Sequence, residues 1–125
     1  MDVQEAMSTD VLTVTPERTL REAAGFMKER NCGSAVVVDP EAPGPGIVTE
    51  RDLLAAMAEG RDVDQEVVAD HLTSDGTYAE PGWPLERAAE EMLRGGFRHL
   101  VVMDGGEPKG VVSMRDIVRC WSGSR

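Results

Sequence analysis

The sequence predicts an α+β fold made from two copies of one small unit. The segment GIVTERDLL, which begins at Gly46, returns as GVVSMRDIV from Gly110. In each copy the spacing of hydrophobic residues changes from a helical period to short β-branched runs and then back to a helical period. At 125 residues the chain suits one compact domain or two small units that share a core. We therefore expect each unit to run strand, helix, strand, strand, helix.

The repeat extends well beyond the opening motif, which makes it a property of the whole chain. Six identical pairs are 65 positions apart: Asp10 and Asp75, Pro16 and Pro81, Leu20 and Leu85, Ala23 and Ala88, Met27 and Met92, Asp39 and Asp104. From Gly46 and Gly110 onward the separation is 64. The second copy has lost one residue in the loop between these positions, which is PEAPGP in the first copy and GGEPK in the second. Both loops are rich in turn-forming residues, which tolerate a change of length.

The first element that each copy predicts clearly is an amphipathic helix. Apolar residues recur at helical spacing in both copies: Leu20, Ala23, Ala24 and Met27, then Leu85, Ala88, Ala89 and Met92. Thr19 and Pro84 suit the helix starts. Asn31 and the pair Gly95-Gly96 suit the ends, because these residues accept the left-handed conformation common after a helix.

Two strands and a closing helix follow in each copy. The runs AVVVD and LVVMD are typical of buried strands, and GIVT and GVVS are expected to pair with them. The segments ERDLLAAMA and MRDIVRCW carry apolar residues at helical spacing, with Thr49 and Ser113 as candidate N-caps.

This pattern divides the chain into a first unit at 1–60, a connector at 61–70 and a second unit at 71–125. The connector is polar and can hold a short helix leading into the second unit. Neither small sheet can bury both of its faces alone, so we expect the units to pack about a pseudo-two-fold axis into one compact module.

Composition excludes several classes of protein. A formal net charge of -10 opposes binding to nucleic acid or to an anionic membrane. The longest apolar runs are strand-sized, and the acidic start MDVQEAM lacks a secretory pattern, so we expect a cytoplasmic protein. Cys32 and Cys120 have no metal-ligand spacing, and no nucleophile motif is present. We therefore expect neither a metal site nor catalytic residues.

The repeated motifs resemble the cystathionine-β-synthase (CBS) domain, which occurs as tandem pairs called Bateman modules. The resemblance covers nearly the whole chain and rests on AMSTDVLTVTPERTLREAAGFM, SAVVVD, RHLVVMD, GIVTERD and GVVSMRD. It implies a regulatory sensor of adenine nucleotides or related adenosyl compounds, without catalysis and without a required cofactor. AMP, ADP, ATP and S-adenosylmethionine are the ligands that it suggests, and helix-mediated homodimers are common in the family.

The chemistry of the motif agrees with such a ligand. Thr49 and Ser113 place a hydroxyl and unpaired backbone amides at a helix start, which suits a phosphate. Asp52 and Asp116 lie in the first helical turn, where a carboxylate can accept both hydroxyls of a ribose. Two cations stand beside them and can bind phosphate oxygens: Arg51 and Arg115.

A second interpretation of the same spacing needs no ligand. A hydroxyl residue followed three positions later by an acid is also a helix capping box. Weaker candidates add to the ligand interpretation: Arg98 and His99 before a buried strand make the second site more basic, and the resemblance implies contributions from Thr9 and Ser74 near the first strand of each copy.

We therefore expect a CBS-pair regulatory module that acts through an effector protein or through rearrangement of a dimer. The predicted helices carry more apolar surface than two small sheets can cover, and we expect part of it to form a dimer interface, called the seam. The candidate residues are Ala23, Ala24, Met27, Leu53, Ala56 and Met57 with their counterparts in the second copy. The alternative is a constitutive dimerisation scaffold with vestigial sites. An enzyme that hydrolyses the bound nucleotide is the least favoured interpretation, because no base or metal cluster is apparent.

Overall fold

The computed structural model describes residues 1–73 and 78–123, which form two compact units. One unit is continuous and contains residues 12–76, and the other combines residues 1–11 with 77–125. The helices and strands in chain order are α1 (Val3–Ala6), β1 (Thr13–Val14), α2 (Leu20–Arg30), β2 (Ser34–Val37), β3 (Gly46–Thr49), α3 (Glu50–Ala58), a 3-10 turn (Val68–Asp70), α4 (Leu85–Gly95), β4 (His99–Asp104), β5 (Glu107–Ser113) and α5 (Met114–Gly123).

The continuous unit contains a three-stranded sheet in the order β1-β2-β3. Strand β1 is parallel to β2, and β2 is antiparallel to β3 with Ser34 opposite Thr49 and Val37 opposite Gly46. All but two of the residues in these three strands are buried, the exceptions being Thr13 and Ser34. Its core consists of Leu12, Val14, Leu20, Ala23, Met27, Ala35, Val37, Val48, Ala56 and Val68.

The second unit contains the antiparallel pair β4-β5, with His99 opposite Ser113. Among the residues of this copy that the structure describes, the expected first strand is a single parallel bridge between Ala79 and Val102. The core of this unit consists of Val3, Ala6, Ala79, Leu85, Ala88, Met92, Leu100, Val102 and Val112.

The expected fold class is confirmed, and so are the expected ends of the first helix in each copy. Thr19 caps α2, since its side chain accepts from the backbone amide of Glu22 while Glu22 bonds back to Thr19. The Thr19 backbone amide donates to the Glu22 carboxylate, and this lowers the pKa of Glu22 from its usual value. Asn31 and Gly96 follow α2 and α4 in the left-handed conformation.

The segment that introduces each copy packs with the elements of the other copy. Ser8 exchanges backbone hydrogen bonds of 2.9 and 3.0 Å with Val111 of β5. At the corresponding place Thr73 donates its amide to the carbonyl of Ile47 in β3 at 2.8 Å. The predicted division at 1–60, 61–70 and 71–125 follows the sequence repeat, and the packing units divide the chain differently. The short helix expected in the connector is the 3-10 turn at Val68–Asp70.

Among the described residues, no helix combines the length and the apolar character that crossing a bilayer would require.

Gly46 and Gly110, which begin the last strand motif of each copy, are closely packed against other segments. Replacing them with alanine tests which segments pack together. A Cβ on Gly110 would lie 2.6 Å from the backbone oxygen of Ser8, whereas a Cβ on Gly46 would meet the tip of the Leu72 side chain at 2.8 Å. A flexible side chain yields more easily than a backbone strand. We expect Gly110→Ala to lower the free energy of unfolding by about 1–3 kcal/mol and Gly46→Ala to lower it by less.

Urea denaturation of both variants measures the difference, and Gly25→Ala is the control. Gly25 lies inside α2 with no atom within 4 Å of its added Cβ, so alanine there should stabilise by about 0.5–1 kcal/mol. An equal loss for the two tight glycines would contradict the pairing of the Ser8 segment with β5.

Candidate functional site

The first candidate site lies where β3 turns into α3 without an intervening loop. Thr49 is buried at the end of the strand, with 7% of its surface exposed. Its hydroxyl accepts from the backbone amide of Asp52 at 3.3 Å. In return, Oδ2 of Asp52 accepts from the backbone amide of Thr49 at 2.8 Å and from its hydroxyl at 3.0 Å. These bonds form a complete capping box at the start of α3.

The second candidate site repeats this arrangement where β5 turns into α5. The hydroxyl of Ser113 accepts from the backbone amide of Asp116 at 3.0 Å. Oδ2 of Asp116 accepts from the backbone amide of Ser113 at 2.8 Å. The sequence motif therefore produces the same local structure twice, and both aspartates face their own strand end.

The second carboxylate oxygen distinguishes the two sites. Oδ1 of Asp52 accepts from the hydroxyl of Thr73, which is neutral. Oδ1 of Asp116 lies 3.1 Å from Nη1 of Arg119, whose Nη2 also donates to the carbonyl of Ala6 at 3.3 Å. The Asp116 side chain is 13% exposed and the Arg119 side chain 64% exposed, so this ion pair joins a nearly buried carboxylate to a surface cation.

The neighbouring strand brings further residues to each junction. Ser34 lies directly opposite Thr49, and His99 lies directly opposite Ser113. The carbonyl of Arg98 accepts from the amide of Met114 at 2.8 Å. The register thus places Arg98 and His99 beside Ser113 and Asp116, as the sequence analysis expects for the more basic site.

The remaining predicted site residues have varied positions. Arg51 and Arg115 are exposed and lie in the first turns of α3 and α5. Thr9 is exposed and follows Ser8, whose bridge to Val111 places Thr9 in the unit that contains Ser113. Ser74 lies outside the described residues.

Two residues at the sites were missed by the sequence analysis. Thr73 corresponds to Ser8 in the repeat, and its bond to Asp52 depends on a long-range contact that the repeat alone does not reveal. Arg119 follows Asp116 by three positions on one helix, which is a spacing that brings opposite charges together. That spacing was visible in the sequence.

An open groove elsewhere in the continuous unit does not contain these residues. It runs beside β1 and is lined in part by Leu12, Val14, Phe26 and Val38. Val38 follows β2 at the end remote from Ser34, so the groove lies away from Thr49. Its lining carries no hydroxyl and carboxylate pair of the repeated motif.

Comparison with known proteins identifies the family. The model of the CBS domain matches residues 2–59 and again residues 68–123. The chain is 40% identical over 118 residues to an uncharacterised 17.7 kDa protein of Acidianus ambivalens, and the match covers 94% of this chain and 71% of that protein. The chain belongs to the CBS domain family and contains a tandem pair of these domains.

Solved structures show the same fold. A hexameric CBS-CP12 protein from bloom-forming cyanobacteria is similar with a TM-score of 0.88 and 26% identity, covering 94% of this chain and 66% of that one. The CBS domain pair of protein MJ0100, in complex with 5-methylthioadenosine and S-adenosyl-L-methionine, is similar with a TM-score of 0.87 and 22% identity, covering 100% of this chain and 98% of that one.

The buried hydroxyl of Thr49 provides a test of the capping box. Thr49→Val keeps the shape of the side chain but leaves the amide of Asp52 without its partner, so we expect a loss of about 1–2 kcal/mol in the free energy of unfolding. Thr49→Ser keeps the hydroxyl and is the matched control, and it should lose less than Thr49→Val. Thermal denaturation followed by circular dichroism measures both. A Thr49→Val variant as stable as the wild type would mean that the hydroxyl does not stabilise the junction.

Proposed function

We propose that this CBS pair is a regulatory module that binds an adenine nucleotide or a related adenosyl compound. The observation that supports it is the duplicated strand-to-helix junction, which presents a hydroxyl, helix amides and a carboxylate in one place in a chain of this family. The ligand-binding residues in this proposal are Thr49, Arg51, Asp52, Ser113, Arg115 and Asp116, with Arg98, His99, Thr9 and Ser74 contributing.

Each group has a role that follows from its chemistry. Backbone amides and the hydroxyl at a helix start attract a phosphate, because they carry the positive end of the helix dipole. An ionised carboxylate accepts hydroxyl donors and repels phosphate, so Asp52 and Asp116 receive the ribose. Arg51 and Arg115 are exposed, and in this proposal their guanidinium groups bind phosphate oxygens. No residue is assigned a chemical step, and the proposal is for a binding module acting in the cytoplasm.

The complex of protein MJ0100 supports the ligand class, since that CBS pair contains 5-methylthioadenosine and S-adenosyl-L-methionine. We propose that a ligand of the same class binds this chain.

The proposal includes a homodimer formed through helix faces. The last helix of each unit exposes two large apolar residues at corresponding positions: Leu54 and Met57 on α3, at 67% and 64%, and Val118 and Trp121 on α5, at 54% and 64%. Ala23, Met27 and Ala56, which were expected in the seam, are buried in the core instead. The hexameric cyanobacterial protein shows that a similar fold assembles. Ligand binding that favours one arrangement of the dimer would transmit the signal to an effector protein.

One observation favours the alternative of a constitutive scaffold. Both aspartates already serve their own helices as capping residues, and each has a partner on its second oxygen. A junction built only for stability would have the same bonds.

Ligand binding is tested by thermal melting with AMP, ADP, ATP, NAD and S-adenosylmethionine. A ligand at a hundredfold excess over its dissociation constant stabilises the native state by about 2.7 kcal/mol. We expect at least one of these compounds to raise the melting temperature of the wild type. The double variant Asp52→Ala and Asp116→Ala should lose this shift.

The double variant without ligand is the control for folding, because removal of both caps should cost about 1 kcal/mol for each site. A wild-type melting temperature that stays constant with all five compounds would favour the scaffold. An equal shift in the wild type and in the double variant would place the ligand elsewhere.

The dimer is tested by changing an exposed apolar residue on the proposed seam. Met57→Asp places a charge on a side chain that is 64% exposed, so it should leave the fold intact while opposing association. We expect the wild type to sediment as a dimer. The dissociation constant of the dimer should be at least about tenfold higher for Met57→Asp. The control is Val38→Asp, at an exposed position beside a strand. A monomeric wild type at tens of micromolar would refute the dimer.

A further inference from the structure

We infer that the two sites accept ligands of different charge: the second site takes an anionic nucleotide, and the first takes a neutral or cationic nucleoside. This inference rests on the proposed function, because it names the class of ligand at each of the two proposed sites. Both junctions join a strand directly to a helix and carry a hydroxyl residue and an aspartate three positions later, so we attribute the difference to the side chains.

The first junction has an excess of negative charge. Glu50, Arg51 and Asp52 are consecutive residues in the first turn of α3. The Glu50 carboxylate extends toward the start of β2, since a Cβ on Gly33 would lie 2.9 Å from its Oε1. One cation and two carboxylates give this site a formal charge of -1.

The second junction replaces each acidic or neutral position with a more basic one. Gly33 corresponds to Arg98, Ser34 to His99, Glu50 to Met114 and Ala55 to Arg119, each by the spacing of the repeat. Three arginines belong to this junction by their place in the chain, Arg98 before β4 and Arg115 and Arg119 on α5. With Asp116 and a neutral His99 they give a formal charge of +2. The two sites differ by three charges although they have the same fold.

Arg119 has the largest effect on the chemistry, because it contacts the carboxylate that would hold the ribose. With Nη1 at 3.1 Å from Oδ1, the guanidinium compensates the charge of Asp116 and weakens its repulsion of a nearby phosphate. Oδ2 of Asp116 accepts a hydrogen bond from the backbone amide of Ser113 at 2.8 Å, and a carboxylate oxygen has two lone pairs, so it retains acceptor capacity for a ribose hydroxyl.

The hydroxyl groups differ in the same direction. The Thr49 hydroxyl donates to Oδ2 of Asp52 at 3.0 Å, so its hydrogen is committed within the cap. The Ser113 hydroxyl accepts from the amide of Asp116 at 3.0 Å, which leaves its own hydrogen to donate. An anion near the second junction would gain a hydrogen bond donor that the first junction uses internally.

The inference is tested by isothermal titration calorimetry with adenosine and AMP, which differ only by the phosphate. Asp52→Asn leaves the second site intact, and Asp116→Asn leaves the first. We expect AMP to bind at least about tenfold more tightly than adenosine to Asp52→Asn, and adenosine to bind at least as tightly as AMP to Asp116→Asn.

Two further variants keep both aspartates. Each replaces a residue of one site with the residue at the corresponding position of the other site. Arg119→Ala introduces the residue present at position 55, and it should lower the ratio of AMP affinity to adenosine affinity at the second site by about fivefold, because only AMP carries the phosphate. Glu50→Met introduces the residue present at position 114 and should strengthen AMP at the first site by a similar factor. Both positions are exposed, so these variants give the comparison even if an aspartate variant fails to fold.

The outcomes separate the inference from the function on which it rests. If none of the five compounds of the melting experiment and neither adenosine nor AMP binds the wild type, the proposed function and this inference both fail. If another of the five compounds binds but adenosine and AMP do not, the inference alone is overturned. If the ligands bind but the ratio of AMP to adenosine affinity is the same at both sites, or does not change in Arg119→Ala and Glu50→Met, the inference alone is overturned.

Discussion

The reciprocal hydrogen bonds between a hydroxyl residue and the aspartate three positions later are the interaction on which each unit depends. Strands β3 and β5 end at Thr49 and Ser113, and helices α3 and α5 begin at the next residue. With no connecting loop, the direction of the helix is fixed by the cap. The strand register then determines which residues of the neighbouring strand lie beside that cap, as Ser34 and His99 do.

The same atoms serve stability and the proposed binding. A ligand that enters the junction meets a carboxylate already oriented by a backbone amide, so little conformational freedom is lost when a ribose binds. A ligand can use only those lone pairs of the carboxylate that do not already accept a hydrogen bond within the cap. A junction of this kind suits a ligand that adds hydrogen bonds to the cap, and it disfavours a ligand that must displace the cap.

Most of the fold was predictable because it follows from local patterns that occur twice. The helix ends at Asn31 and Gly96 and the cap at Thr49 require only short-range chemistry. The partner of each leading segment was not predictable, since Ser8 could pair with the first or the second copy without any change in hydrophobic pattern. The role of Thr73 was missed for the same reason. Ala56 was assigned to the dimer seam because a helix face buried in a core and one buried in an interface have the same spacing of apolar residues.

The contribution of residues 1–11 to the unit of residues 77–125 has a consequence for synthesis of the chain. The continuous unit has all of its strands and helices once residue 76 has left the ribosome, and it can then close its core. The first segment of the other unit cannot pair until β5 has been synthesised, because Ser8 pairs with Val111. Closing that long loop carries an entropic cost, and the continuous unit, whose segments follow one another in the chain, closes shorter loops. The order of translation thus favours the unit that is continuous in sequence as the first to fold.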